Sequence, residues 1–311
     1  MSEPTSTDRD PALRHDPAVA DPPARLRERL AAVRALVLDV DGVILRAGRP
    51  IPGAAEALRD LDARGIPYRI LTNSGDRSRA ARAELFAGLG LPIPAARIVT
   101  SISVAAAYTA ARHAGQALYV IAAPDALTEF AGQRLLDAAE ADAPGARVAA
   151  VVIADAGDEL SYRNLDRAFR LVRGGARLLA AHRTLWWLTS RGPTLDVGAF
   201  VAGLERATGT RATVLGKPAP FGFRAAAHQL AAELAARGEP GLPRQATAMV
   251  GDDVGWDVLA ARRAGLRGVL VLSGRHGPDD IAAAARRSRR PGTSVVDAIA
   301  PSLAAVVAAM G

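Results

Sequence analysis

Several residue types are scarce or missing in this sequence of 311 residues. It has no cysteine, which excludes disulfide bonds, cysteine-based zinc sites and a cysteine nucleophile. Aromatic residues make up only 4% of the chain, so Ala, Leu and Val must build the core, which favours helices packed on a parallel sheet. The sequence has no apolar run of about 18 residues and no signal-peptide pattern, so we expect a cytoplasmic protein without a membrane span.

Lysine is nearly absent, although the chain carries a net charge of +7. Of the 39 lysine and arginine residues, only Lys217 is lysine. A compact ammonium cannot be replaced by a planar guanidinium where a point charge is required, so this residue is a candidate site residue, with chance as the alternative. The arginines are interleaved with acids, and the basic runs at 25–29 and 286–290 lack flanking aromatics. This pattern favours solvated helix faces over binding to nucleic acid.

Strand-like and helix-like patterns alternate along most of the chain. Apolar runs at 35–40 and 66–72 predict buried strands, each followed by a helical pattern, and the same rhythm returns at 246–253. Such alternation predicts an α/β fold with a Rossmann-like, doubly wound parallel sheet. The middle of the chain has its own strands and helices, which predicts an α/β cap inserted into this core.

These patterns divide the chain into four segments. Residues 1–30 are rich in Pro, Asp and Ala and predict a disordered N-terminal extension. Residues 31–112 and 193–311 form the two parts of the predicted core, and residues 113–192 form the predicted cap.

Polar residues follow the first two predicted core strands. Asp39 and Asp41 come after the first strand, and Thr72, Asn73 and Ser74 come after the second. In an open parallel sheet, ligands collect at the carboxyl ends of strands, so the acids suit a metal-assisted site and the second cluster suits an anion cradle. A strand-to-turn junction and a helix N-cap are the ordinary alternatives.

Two later segments place further charges after apolar runs. Lys217 follows the run at 212–216, and Asp252, Asp253 and Asp257 follow or lie near the end of the run at 246–250. Clustered acids repel one another unless a cation offsets them, and oxygen-only ligands favour Mg²⁺ over Zn²⁺. Helix capping by the acids is the structural alternative. We expect all four polar clusters at strand ends of one sheet.

In order and spacing, the four motifs DVDGV, LTNS, GKP and VGDDVGWD resemble those of the haloacid-dehalogenase-like superfamily. The resemblance extends over about 31–311. The position of the cap insertion resembles the NagD-like class (class IIA). Segments such as TNSGDRSRA and LDVGAFVAGLERATGT resemble the subgroup that contains phospholysine phosphohistidine inorganic pyrophosphate phosphatase.

The resemblance implies a Mg²⁺-dependent phosphatase that acts through an aspartyl-phosphate. It assigns nucleophilic attack to Asp39 and general acid–base catalysis to Asp41. It places the metal on the carboxylates of Asp39 and Asp252 and on the main-chain carbonyl of Asp41.

The resemblance also assigns the remaining motif residues. Lys217 is expected to neutralise phosphoryl oxygens and to keep the nucleophile ionised. Thr72, Asn73 and Ser74 are expected to bind the phosphate together with Lys217, while further acids orient the metal waters and the lysine. These orienting acids are Asp253 and Asp257.

Several alternatives remain open at this stage. A phosphotransferase or mutase uses the same pair of acids, and a non-catalytic interaction protein on this scaffold is the other alternative. The substrate is expected to be a small phosphorylated metabolite, a phosphoamino acid or pyrophosphate, and relatives of this class suggest a homodimer through the cap. The sequence does not decide whether Trp186, Trp187 or Trp256 contact substrate.

Overall fold

The computed structural model describes residues 20–189, 192–287 and 294–311, and the side chains of 187–189 and 287 lie outside that description. The basic run at 286–290 and the first 19 residues therefore fall wholly or partly outside it. The strands are β1 (Ala35–Leu38), β2 (Leu45–Arg46), β3 (Arg49–Pro50), β4 (Tyr68–Thr72), β5 (Ile98–Thr100), β6 (Ala117–Ile121), β7 (Arg134–Leu135), β8 (Ala150–Ile153), β9 (Arg177–Ala180), β10 (Trp186–Thr189), β11 (Gly192–Leu195), β12 (Thr213–Val214), β13 (Thr247–Gly251), β14 (Arg267–Val271) and β15 (Ala298–Ala300). The helices are α1 (Pro23–Leu30), α2 (Ala54–Ala63), α3 (Arg79–Gly88), α4 (Ser101–Arg112), α5 (Ala138–Asp142), α6 (Tyr162–Arg173), α7 (Val197–Thr208), α8 (Pro220–Ala236), α9 (Leu259–Arg263), α10 (Pro278–Arg287) and α11 (Leu303–Ala309).

The core is a six-stranded sheet in the order β15-β14-β13-β1-β4-β5, with all its strands parallel. Its central strand β1 is a short, fully buried apolar run, as expected for a strand covered by helices on both faces. The order of the strands reverses direction at β1, where the chain moves to β4 on one side and later to β13 on the other. The predicted parallel α/β core is confirmed.

Alternate residues of β1 face two different apolar clusters. Leu36 and Leu38 pack in the cluster that includes α2 and α11, while Ala35 and Val37 pack in the cluster that includes α4 and α8. This alternation is the normal period of a strand buried on both faces.

A second, five-stranded parallel sheet lies in the middle of the chain, in the order β12-β9-β8-β6-β7. One of its faces packs under α6 and α7. Its other face contributes Leu118, Val152 and Leu179 to the apolar cluster that also holds Val37 of the core. The two sheets are thus joined by one continuous apolar contact.

The proposed division into core and cap stays a prediction. The strands of the second sheet run from Ala117 to Val214, so a boundary drawn from the sheets alone would lie near residue 215 and not near 192. The antiparallel hairpin of β10 and β11 lies outside this sheet and comes between β9 and α7 in the chain.

The prediction of a disordered extension over 1–30 is wrong for its last part. Residues 23–30 form helix α1, which has Pro in its first turn, a favourable position for that residue. Leu26 and Leu30 lie one helical turn apart, and both are buried in the core cluster beside α11. Because this segment has few apolar residues, its composition did not predict a helix. The two buried leucines are nevertheless enough to hold one short helix against the core.

Within the described residues, the helices are all too short or too polar to cross a bilayer.

Candidate active site

Three polar clusters meet at the carboxyl ends of neighbouring core strands. Asp39 follows β1, Thr72 ends β4, and Asp252 follows β13, and these three strands are adjacent in the sheet. The N–H of Asp39 continues the ladder by donating to the carbonyl of Val250 at 2.9 Å. The sheet therefore presents these side chains at one edge, as predicted from their positions after apolar runs.

Lys217 reaches the same edge by a different route from the predicted one. The run at 212–216 was expected to be a core strand, but β12 pairs with β9 of the second sheet. The chain then crosses from this sheet to the core, and Gly216 passes so close to the carbonyl of Ala181 that a Cβ would lie 2.4 Å from it. A short apolar run does not reveal which sheet it joins, because a strand of this length can pair at the edge of either sheet.

The ammonium of Lys217 forms a buried bridge between two carboxylates. Its Nζ lies 2.6 Å from Oδ1 of Asp39 and 2.7 Å from Oδ1 of Asp257. The side chain of Asn73 holds the main chain of the lysine, since it accepts from the N–H of Lys217 at 2.7 Å and donates to its carbonyl at 2.9 Å. This double contact positions the lysine from the loop that follows β4.

Three carboxylates lie together beside this lysine. One oxygen from each of Asp39, Asp252 and Asp257 falls within 4.8 Å of the others, and all three residues are buried. The second oxygen of Asp257 accepts from the N–H of Asp253 at 3.2 Å, so both of its oxygens are already engaged. Asp39 and Asp252 are therefore the carboxylates best suited to hold a cation.

The charges of the cluster do not cancel. Burial raises the pKa of Asp39, Lys217 opposes that rise, and the charge of Asp252 adds to it. Burial, followed by the charge of Asp257, raises the pKa of Asp252 to about 6. Burial alone would lower the pKa of Lys217, but Asp257 and Asp39 outweigh it and raise the pKa instead. One buried ammonium thus faces three carboxylates, which is the electrostatic setting of a cation site.

Asp253 serves mainly as a helix cap. Its side chain accepts from the N–H groups of Gly255 and Trp256, both at 2.8 Å, at the start of the π-helical turn Val254–Val258. The capping alternative raised by the sequence therefore applies to this acid. Asp257 contacts the lysine directly, and its orienting role stays a prediction.

The loop after β4 is held from several sides. The side chain of Thr72 is buried and accepts from the N–H of Ser74 at 3.2 Å. The hydroxyl of Ser101 donates to the carbonyl of Asn73 at 2.6 Å. The cap of α3 is Ser78, so neither Ser74 nor Asp76 takes that role. The polar groups of residues 72–74 remain candidates for anion binding.

The backbone approaches Asp252 closely at two glycines. A Cβ on Gly42 would lie 2.2 Å from Oδ2 of Asp252, and a Cβ on Gly274 would lie 2.3 Å from the same atom. Gly42 also adopts a φ of +74°, which few other residues tolerate. Asp41, one residue earlier, lies exposed in the turn between β1 and β2, where the predicted acid–base residue could meet a substrate.

The structure describes the side chains of two of the three tryptophans. Trp186 is exposed on the hairpin of β10 and β11, and Trp256 is half-buried in the turn before α9. The side chain of Trp187 lies outside the described residues.

The sequence reasoning missed two contributors to the site. The N–H of Arg275, after β14, donates to Oδ2 of Asp252 at 2.7 Å, and a main-chain donor of this kind leaves no sequence signal. Asp155 accepts from the N–H of Gly75 at 2.5 Å. It directly follows the apolar run of β8, so the rule that flagged Asp39 could have found it.

Comparison with known proteins decides the family. Two family profiles match, one described as haloacid dehalogenase-like hydrolase over residues 36–135 and one described as HAD-hydrolase-like over residues 214–301. Haloacid dehalogenase-like hydrolase domain-containing protein 2 of Bos taurus is 34% identical over 245 residues, which cover 79% of this chain and 86% of the relative. The chain belongs to the haloacid dehalogenase-like hydrolase family.

Further matches narrow the membership. Human phospholysine phosphohistidine inorganic pyrophosphate phosphatase is 30% identical over 259 residues, covering 81% of this chain and 88% of that protein. NagD from E. coli K-12 is 27% identical with a TM-score of 0.71, covering 88% of this chain and 97% of that chain. The 4-nitrophenylphosphatase of Thermotoga maritima has a TM-score of 0.72 at 23% identity and a coverage of 90% and 98%, and at that identity it supports the fold alone. By these matches the chain is a NagD-like hydrolase of the phosphatase class.

Proposed function

We propose that this protein is a Mg²⁺-dependent phosphatase that transfers the phosphoryl group of a small substrate to Asp39 before water releases it. The observation that supports this most directly is the buried bridge of Lys217 to Asp39 at 2.6 Å, beside further carboxylates at the same sheet edge. A lysine in this position favours the ionised form of the aspartate that must act as nucleophile.

The residues present fit a hard divalent cation. The carboxylates of Asp39 and Asp252, together with the main-chain carbonyl of Asp41, would hold Mg²⁺, which prefers oxygen ligands. Burial, and after it the charge of a neighbouring carboxylate, raises the pKa of both Asp39 and Asp252, and a bound cation would offset that negative charge. When bound, Mg²⁺ supplies positive charge to the phosphoryl oxygens.

In the proposed reaction, a carboxylate oxygen of Asp39 forms a bond to phosphorus as the bond from phosphorus to the leaving oxygen or nitrogen breaks. Asp41 donates a proton to that leaving group. It then takes a proton from the water that attacks the aspartyl-phosphate, so that Asp39 and inorganic phosphate are regenerated. General acid–base catalysis of this kind typically contributes about 10²–10⁴-fold to the rate.

The other motif residues are proposed to bind the phosphoryl group. Lys217 and the hydroxyl of Thr72 face its oxygens, with the main chain at Asn73 and Ser74 supplying further donors. Asp257 orients the lysine through its contact at 2.7 Å, and Asp253 is proposed to orient the metal waters in addition to capping the following turn. A mutase or phosphotransferase would need a second phosphate acceptor in place of water.

The substrate class is proposed as small phosphorylated compounds, because relatives at 30% identity include an enzyme named for phospholysine, phosphohistidine and inorganic pyrophosphate. A cytoplasmic location and a homodimer through the cap also stay predictions. The exposed apolar side chains of Leu185, Trp186 and Leu195 lie on the hairpin where such a dimer could form.

Hydrolysis of p-nitrophenyl phosphate tests the proposal. We expect wild-type turnover that requires Mg²⁺, stops with EDTA, and falls at least about 10³-fold in Asp39→Asn, because the amide cannot act as the nucleophile. Asp60→Asn is the control. Asp60 is an exposed acid of α2 that pairs with Arg64, and this variant should retain wild-type activity.

Two results would contradict the proposal. Undiminished turnover by Asp39→Asn would exclude this residue as the nucleophile. Failure of wild type both to hydrolyse this ester and to bind beryllofluoride in the presence of Mg²⁺ would exclude the phosphatase site as described.

A further inference from the structure

A second cluster of titratable side chains lies outside the site described above. It consists of Asp155, His182 and Asp196. Asp155 follows β8, His182 follows β9, and Asp196 caps α7 by accepting from the N–H of Val197 at 2.7 Å. The imidazole is buried, with 3% of its side chain exposed. The cluster belongs to the second sheet but faces the core loop that carries Asn73.

The cluster has the composition of a metal site, but its hydrogen bonds indicate another role. Nε2 of His182 lies 2.8 Å from Oδ1 of Asp155, while Oδ1 of Asp196 is 3.9 Å away. Nδ1 of the same ring accepts from the N–H of Thr184 at 3.4 Å. A histidine that binds a metal through Nε2 normally donates its Nδ1–H to a neighbour, whereas here Nδ1 faces a donor. Nε2 therefore carries the proton and donates it to Asp155.

The other oxygen of Asp155 reaches across to the core. Oδ2 accepts from the N–H of Gly75 at 2.5 Å. The carbonyl on the other side of that peptide bond, at Ser74, accepts from Nη2 of Arg82 at 3.5 Å. Both polar groups of the Ser74–Gly75 peptide are thus held, and this peptide directly follows Asn73.

The negative charge of Asp155 makes it a good acceptor for the N–H of Gly75. Burial opposes its ionisation, but the hydrogen bonds from the Nε2–H of His182 and from the N–H of Gly75 outweigh burial and lower the pKa of Asp155. Hydrogen bonds from an N–H to an ionised carboxylate are stronger than those between neutral groups. The carboxylate is therefore a firm acceptor for a loop amide.

We propose that Asp155 and His182 are positioning residues for the phosphate-binding loop Thr72–Gly75. This inference rests on the proposed function, because that function makes the loop a phosphate-binding element. His182 orients Asp155, Asp155 holds the amide of Gly75, and the held peptide sets the position of the donors at residues 72–74. The second sheet thereby contributes to phosphate binding without touching the substrate.

Hydrogen exchange and steady-state kinetics on the full-length protein test this chain of contacts. In Asp155→Ala we expect the Gly75 amide to exchange at least about 10-fold faster. The KM for p-nitrophenyl phosphate and the inhibition constant of inorganic phosphate should both rise about 10-fold, with a smaller change in kcat, because loss of one charge-assisted hydrogen bond has effects of this order. Asp142→Ala, which removes an acid paired with Arg167 and Arg170, is the matched control and should change none of these values.

Substitution of the histidine separates positioning from packing. His182→Phe fills the space without an N–H donor and should shift the same constants as Asp155→Ala, by a smaller factor. His182→Gln keeps an N–H donor and should restore values near those of wild type. If Asp155→Ala does not fold, Asp155→Asn, which keeps an acceptor oxygen for Gly75, replaces it and should give intermediate shifts.

The outcomes distinguish this inference from the function on which it rests. Gly75 exchange and phosphate inhibition equal to those of the Asp142→Ala control would overturn the positioning role. So would equal effects of the Phe and Gln variants of His182. An inactive wild type that binds no phosphate would refute the proposed function, and exchange at Gly75 would then decide only whether Asp155 holds the loop.

Discussion

The uncancelled negative charge at Asp252 predicts that this residue destabilises the metal-free protein. Asp252 is buried next to Asp257 and Asp39, with the N–H of Arg275 as its hydrogen-bond donor. The change Asp252→Asn removes the charge and keeps an oxygen that can accept from that N–H. We therefore expect the variant to be more stable than wild type in EDTA and to have lost its Mg²⁺-dependent activity.

The size of this effect follows from the pKa of Asp252. A rise from the usual 3.8 to about 6 corresponds to about 3 kcal/mol at a pH above both values. Since the pKa is raised in the folded state, the penalty is absent below about pH 4, develops as the pH rises to about 6, and is complete above it. Relaxation of the site reduces the gain, so we expect about 1–3 kcal/mol at pH 7.5 and close to none at pH 4.

Thermal unfolding in EDTA at several pH values measures this gain. About 2 °C per kcal/mol is typical of chains of this size, so Asp252→Asn should melt several degrees above wild type at pH 7.5, with a difference that shrinks towards pH 4. Added Mg²⁺ should stabilise wild type more than the variant. Asp253→Asn is the control, because it alters the neighbouring acid that caps the following turn, and it should give no such gain. A variant no more stable than wild type at pH 7.5, or a gain independent of pH, would refute the reasoning.

Two further substitutions test how the site is built. Gly42→Ala and Gly48→Ala both place a side chain at a φ of +74° and should each cost about 1–2 kcal/mol of backbone strain, but only at residue 42 would the Cβ lie 2.2 Å from Asp252. Phosphatase assays should find at least about a 10-fold loss in Gly42→Ala alone, and equal activities would contradict the proposed clash. Asn73→Ala removes both side-chain hydrogen bonds to the main chain of the site lysine and should lower kcat about 10-fold, since such bonds contribute about 1 kcal/mol each. Asn164→Ala, at the other asparagine of the chain, should leave kcat unchanged, and a similar fall in both variants would indicate a general loss of stability.

The order of the polar clusters along the chain was enough to predict much of the site. Each of Asp39, Thr72 and Asp252 stands at the end of a buried apolar run, and parallel strands bring their carboxyl ends to one edge. The scarcity of lysine singled out Lys217, which indeed lies 2.6 Å from Asp39. These features are local, so one sequence can carry them.

Other features depended on contacts between segments far apart in the chain. The run before Lys217 joined the second sheet, since a short apolar strand fits either sheet and the pairing with β9 decides. Asp253 became a cap because the following residues form a π-helical turn whose N–H groups point to it. Helix α1 formed because α11, far along the chain, offers a surface that buries Leu26 and Leu30.

What the sequence alone determined is the fold class and the chemical groups of the site, because hydrophobic periodicity and residue type are properties of neighbouring residues. What only the tertiary structure decided is which of these groups meet. The contact of Asp155 with Gly75 and with His182 joins residues 80 and 27 positions apart. Such contacts depend on how the second sheet packs on the core, which no local pattern encodes.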